Sequence, residues 1–205
     1  NVSAEGKAVA VPDIAKVNFS VVSEGVDPVT IQTENTKKVN NAIDFIKAQG
    51  ISDKDIKTSQ YNLSPRYEYD EKRRQSFISG YELRQSVEVK IRDFSKISAI
   101  LGGLPQRGIN EIGQLQFDID DPNNYLNQAR QEAFVKARTK AETMAKQNGV
   151  RIKRVVTFSE SQGYGSPIFY AAKESGFGGA PASMPTVEPG SQEVKVQVSV
   201  TYEIR

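Results

Sequence analysis

Alanine occupies positions 129, 133, 137, 141 and 145 of "ARQEAFVKARTKAETMAKQNGV" (129–150). Steps of four overshoot a 3.6-residue helical turn by about 40°, so this run sweeps about 160° of a helix surface. A drifting ridge of the smallest apolar side chain lets a long helix lie close against a twisted sheet or a second helix. Phe134 and Met144 stand near it as larger anchors. The Lys, Arg and Glu residues between the alanines read as the wet side. Asp121-Pro122 supplies an N-cap followed by a proline in the first turn, and Gly149 supplies a left-handed stop. The segment between them predicts a helix about 39 Å long, large for a chain of 205 residues.

The other alternations predict strands. "IAKVNFSVV" (14–22) puts Ala15, Val17, Phe19 and Val21 on one side. Val2–Val11 precedes it, turned by Pro12-Asp13. Asp27-Pro28 opens a helix with Ile31, Val39, Ala42, Ile43 and Ile46 on one face, ended by Gly50. Residues 56–69 and 77–92 form the arms of a long central hairpin with "DEKRRQS" (70–76) at its tip. Asp93 caps a short helix ended by Gly102-Gly103. "QLQFDID" (114–120) groups Leu115, Phe117 and Ile119. "RIKRVVTF" (151–158) and "EVKVQVSVTYE" (193–203) are the last strands. The order is β-β-α-β-β-α-β-α-β-β. Strands apolar on one face only predict an α+β fold, a mainly antiparallel sheet with helices packed on one face. The two "Asp-Pro, helix, Gly-Ile/Val" units at 27–51 and 121–150 hint at an internal duplication. Residues 162–190 hold 6 of the 15 glycines and 4 of the 9 prolines, so that stretch is expected as a long loop.

Composition narrows the chemistry. The chain has no His and no Cys. Ser-His-Asp and Cys-His nucleophiles, disulfides and ordinary zinc sites are therefore excluded. Net charge is +2, which gives no global drive toward nucleic acid or anionic membrane. No apolar run approaches the roughly 18 residues that cross a bilayer. The chain begins at Asn1 rather than Met, so the expectation is a removed signal segment or a trimmed chain.

Four clusters carry candidate chemistry. Arg130, Lys136, Arg138, Lys140, Lys146, Arg151, Lys153 and Arg154 face Glu132, Glu142 and Glu160, either as an anion-binding face or as a solvated one with i,i+4 pairs. Asp118, Asp120 and Asp121 could attract a hard cation, but Asp121 is already explained as a cap, and no metal site is expected. "GYG" (163–165) and "GFGG" (176–179) lack the Lys-Ser/Thr of a phosphate loop. The lysines lie on polar faces, unsuited to a lowered pKa, so no catalytic residue and no cofactor is expected. The aromatics Tyr67, Tyr69 and Phe77 on the hairpin, and Phe169, Tyr170 and Phe177 in the 162–190 loop, are the candidate oligomer interface. Plain intrachain packing is the competing reading of the hairpin, with nucleic acid a third.

"VSAEGKAVAVPDIAKVNFSV", "GISDKDIKTSQYNLSPRYEY", "GYELRQSVEVKIRDFSKI", "QARQEAFVKARTKAETMAKQNGV" and "EPGSQEVKVQVSVTYEI" together resemble the SIMPL-domain family, in order and over essentially the whole chain. Ala4 stands where glycine is usual, which bears on strand packing. The resemblance implies residues 1–205 as one SIMPL-type domain or two intertwined subdomains. It implies an exported protein of the bacterial periplasm or cell envelope, with no agreed catalytic activity and thus no catalytic residue to carry over. It also implies a large homo-oligomer, ring-like or channel-like, with itself or an envelope protein as partner and a link to stress protection. The alternative from the residues is a binding module for a small anion, a peptide or a protein without large assembly.

Overall fold

A computed structural model describes residues 1–164 and 189–205. The strands are β1 (Val2–Ala10), β2 (Ile14–Gly25), β3 (Ile56–Asp70), β4 (Gln75–Ile91), β5 (Glu111–Asp118), β6 (Ile152–Tyr164) and β7 (Gln192–Ile204). The α-helices are α1 (Pro28–Ala48), α2 (Ile97–Gly103) and α3 (Asn123–Gln147). The expected order and the α+β class are both present. The strands divide between two antiparallel sheets, β1-β7-β6 and β3-β4-β2-β5. The described residues correspondingly form two compact units: Ile14–Asp118, and Asn1–Asp13 with the residues from Ile119 onward. None of the helices among the described residues is long and apolar enough to cross a membrane.

In the Ile14–Asp118 unit, β2 buries Ala15, Val17, Phe19 and Val21 against β4 residues Val87, Val89 and Ile91 and the α1 residues Val39, Ala42 and Ile46. Ile97 and Ile100 of α2 complete that core. The Asp27 carboxylate caps α1, accepting from Thr30 N at 2.9 Å and from the Thr30 hydroxyl. These bonds stabilise the anion, and they lower the Asp27 pKa. One position in the α1 stripe breaks the apolar pattern. Asn35 is fully buried, and its Nδ2 donates to the Val21 carbonyl at 3.0 Å and Ser23 Oγ at 3.1 Å, tying α1 to β2.

The other unit explains the alanine ridge. Ala129, Ala133 and Ala137 are fully buried on the strands of the three-stranded sheet, and Ala141 and Ala145 nearly so. Gly6 of β1 lies beneath them. A Cβ there would strike the Ala129 carbonyl oxygen and sit 2.5 Å from Ala133 N. Helix and strand therefore meet backbone to backbone. The charges of α3 are not simply its wet side. β1 is an edge strand, and α3 serves its free backbone groups: Glu132 Oε2 accepts from Lys7 N at 2.5 Å, Lys136 Nζ donates to Glu5 O at 3.3 Å, and Lys140 Nζ to Ser3 O at 3.2 Å. The Lys7 amide holds the Glu132 carboxyl below its ordinary pKa, with help from Lys136. Leu126 and Phe134 are the larger anchors of the ridge, and Phe134 stacks edge-on to Phe158 at 5.7 Å. Met144 does not serve as one, being 45% exposed. Ala137→Leu forces extra methylenes into this contact and should cost about 1–3 kcal/mol in chemical denaturation. Lys140→Ala removes one exposed hydrogen bond and should cost less than about 1 kcal/mol; equal effects would contradict the packing.

The duplication hint gains a structural counterpart. β2-α1-β3-β4 runs β-α-β-β, and β1, α3, β6 and β7 follow the same order with residues 14–118 inserted after β1; in each set the last strand lies between the other two. Both helices end in the same Schellman cap. Gly50 (φ 84°) donates to Lys47 O at 2.8 Å and Ile51 to Ile46 O at 3.4 Å; Gly149 (φ 69°) donates to Lys146 O at 3.2 Å and Val150 to Ala145 O at 3.0 Å. The N-termini differ. Pro122, not Asp121, is the α3 N-cap, since its carbonyl accepts from Leu126 N at 2.9 Å. Asp121 instead accepts from Asn123 N at 3.0 Å in a tight side-chain turn.

Other elements depart from the sequence reading. α2 ends at Gly103, as Gly102-Gly103 predicts, but a separate 3₁₀ turn at Pro105–Arg107 follows and leads to Gly108 at φ 86°. Ile119 lies past the end of β5 and joins the core of Ala129 and Val196, away from Leu115 and Phe117. β6 runs six residues beyond Phe158 to Tyr164 because β7 is long enough to pair it, down to Tyr164↔Val194. The expected 162–190 loop thus loses its first three residues to a strand, and 165–188 lie outside the described residues. β3 is exposed over nearly its whole length, so it is not apolar on one face alone.

Candidate functional site

Two surface features gather the residues that the sequence singles out. The first is the hairpin arm. β3 and β4 pair from Ile56↔Val89 to Asp70↔Gln75, whereas β2 covers β4 only as far as Gly25↔Tyr81. Past that point the arm is a two-stranded ribbon. Its turn is fixed by Asp70 Oδ1, which accepts from Lys72 N at 2.8 Å and Arg73 N at 3.0 Å, with Arg74 left-handed at φ 50°. Tyr67 pairs with Ile78 and Tyr69 with Ser76, so Tyr67, Tyr69 and Ile78 share one face. Phe77 pairs with Glu68 and takes the opposite face. Exposure is 65% for Tyr67, 61% for Tyr69 and 46% for Phe77. Side chains of this size are left uncovered on both faces of the ribbon. Phe169, Tyr170 and Phe177, the other half of the expected interface, lie outside the described residues, as does "GFGG" (176–179).

The second feature lies where α3 ends and β6 begins. Much of the basic run is neutralised within the chain. Arg130 grips Glu160 with Nε–Oε2 at 2.6 Å and Nη2–Oε1 at 2.9 Å, and Lys136 meets Glu132 at 2.9 Å. Arg138 meets Glu142 at 2.9 Å. Lys153 and Arg154 share Glu203, at 2.5 and 2.6 Å, and together hold its carboxyl below the ordinary glutamate range. Glu203 is the residue that sequence reasoning missed; it sits fifty positions away on β7, where only pairing of the two strands brings it close. Arg138, Lys146, Arg151, Lys153 and Arg154 nevertheless line one open groove of about 670 Å³ with Tyr202. Lys146 and Arg151 have no carboxylate partner among the described residues.

The acidic trio does not assemble. Asp118 pairs with Lys16 at 2.5 Å, the Asp120 amide donates to Asp13 Oδ1 at 2.8 Å, and Asp121 serves the start of α3. Among the described residues, no three His, Cys, Asp or Glu side chains are grouped to hold a metal ion.

Comparison with known proteins matches the sequence to one family. The model of the family described as "SIMPL: Protein of unknown function (DUF541)" matches residues 1–202. The 26 kDa periplasmic immunogenic protein of Brucella melitensis is 31% identical, over 100% of this chain and 84% of the relative. Escherichia coli K12 YggE, named as an uncharacterized protein, is 28% identical over 95% of this chain and 78% of its own. The YggE of Edwardsiella ictaluri is 32% identical over 70% of this chain and 59% of its own length. With a family match running from the first residue to residue 202, this chain belongs to the SIMPL family.

Proposed function

We propose that the protein is a non-enzymatic component of the bacterial envelope that works as a large homo-oligomer, ring-like or channel-like, and that contributes to stress protection. The exposed aromatic ribbon carries this reading. Tyr67, Tyr69, Ile78 and Phe77 stand on an arm with no covering element among the described residues, a pattern suited to contact between subunits. Its location follows the printed name of the Brucella relative, which is periplasmic. The family description and the relatives' names assign no reaction, which fits a role without catalysis. Phe169, Tyr170 and Phe177 belong to the same proposed interface.

Analytical ultracentrifugation at micromolar concentration tests the assembly. The wild-type chain should sediment as a multi-subunit particle. The triple variant Tyr67→Ser, Tyr69→Ser, Phe77→Ser should fall to a monomer or dimer with unchanged circular dichroism, since these side chains contribute little to either core. A monomeric wild-type protein would sink the proposal, and deletion of 163–189 separates the loop's share from the arm's. A strain lacking the protein should survive envelope oxidants less well than its parent; equal survival removes the stress role but not the assembly.

A further inference from the structure

The basic groove at the end of α3 does not stand alone. It adjoins an apolar hollow of about 210 Å³ lined by Val2, Ala141, Met144, Val150, Ile152 and Ile204. Ala145, Val150, Ile152 and Tyr202 belong to both. The two hollows therefore adjoin across these residues, one cationic and the other apolar. Tyr202, half-buried against the valine core of β7, stands at the junction, where a ring with one polar edge suits both sides.

The charges are out of balance there. Five cations line the groove, while Glu142 and Glu203 are the carboxylates set against them. Glu203 is already engaged by two cations and is held ionised by them. Lys146 and Arg151 remain to meet an anion from outside. At the other end, Met144 is 45% and Ile204 58% exposed, so the hollow's rim presents apolar side chains to water. A free anion would leave that rim uncovered. A neutral hydrocarbon would leave the two cations unmet.

We infer that this depression binds a single-chain anionic amphiphile, with its phosphate-like head group between Lys146 and Arg151 and its hydrocarbon chain against Met144, Val150, Ile152 and Ile204. Arg151 supplies a planar two-pronged donor and Lys146 a compact charge, the pairing that suits a phosphate monoester. The site is independent of the hairpin arm, so it holds whether or not the protein assembles.

Isothermal titration of the full chain with decyl phosphate below its micelle concentration tests the inference, with inorganic phosphate and decanol as the separated halves. Decyl phosphate should bind at least about tenfold more tightly than either half. Lys146→Ala with Arg151→Ala should weaken it about tenfold while leaving decanol unchanged. Met144→Asp should abolish the advantage over inorganic phosphate. All three side chains are exposed, so the variants should keep the wild-type melting temperature. Equal affinity for phosphate and decyl phosphate would overturn the proposal in favour of a plain anion groove. Binding to phosphatidylglycerol vesicles with none to monomeric decyl phosphate would overturn it in favour of a membrane surface, and binding that survives both sets of substitutions would place the ligand elsewhere.

Discussion

Gly6→Ala should destabilise the protein by about 3 kcal/mol, at the upper end of what overpacking costs. The added methyl meets backbone on two sides, the Ala129 carbonyl and the Ala133 amide, and neither can swing away as a side chain would. Either β1 or α3 must retreat. A retreat also stretches the bonds from α3 to the edge of β1 through Glu132, Lys136 and Lys140. For a chain of this size the loss corresponds to a fall of about 10 °C in melting temperature. Gly149→Ala supplies the scale. Nothing lies within 4 Å of that position, so only its left-handed backbone is strained, at about 1 kcal/mol. A Gly6→Ala protein melting within 1 °C of wild type would refute the backbone-to-backbone contact.

Phe19→Ala acts in the opposite sense, by leaving space. Phe19 is the largest fully buried side chain, 1% exposed, on the central strand β2 between β4 and β5. It pairs with Val87 on one side and Ile112 on the other, under the α1 residues of the same core. Truncation should cost about 3–5 kcal/mol, the transfer of the ring plus the cavity that a two-stranded support cannot collapse into. Phe19→Leu keeps most of the volume and should cost less than half as much. Urea denaturation followed by circular dichroism reads both; a loss below about 1 kcal/mol for the alanine variant would show that the ring does not fill this core.

Much of the fold was legible because its signals are local. Alternation in "SVEVKIR" and "EVKVQVSVTYE" located the strand centres, and Asp27 and Gly50 bounded α1 because a cap and a left-handed stop act within a few residues. The alanine ridge announced close packing because no larger side chain permits it. What escaped was nonlocal. Asn35 interrupts an apolar stripe, and acceptors at distant positions, the carbonyls of Val21 and Leu83 and the hydroxyl of Ser23, make its burial tolerable. β6 outran its own apolar pattern because β7 offered partners. Of the candidate sites, the arm's aromatics were visible as residues, but their division between two faces depends on the bulge between Arg66 and Tyr67. The depression's cations were visible as a basic run, but its apolar half and the pairing of the two had no sequence signature. Its cations come from α3 and β6, its engaged carboxylate from β7 and its apolar floor from three strands and a helix.

The sequence by itself determined the order of the helices and strands and their centres, that the strands are mainly antiparallel, and that α3 must press its alanines on a close neighbour. Each of these follows from side-chain period, capping chemistry and steric size within a few turns of chain. Only the tertiary structure decided that the neighbour is β1 with Gly6 at the contact, that β1 pairs with β7 from Val2↔Val200 onward, and that the strands of the described residues separate into two sheets. The β1–β7 pairing joins residues up to nearly two hundred positions apart, and the Gly6 contact reaches across more than a hundred, so no local pattern of side chains encodes which distant edge will meet them.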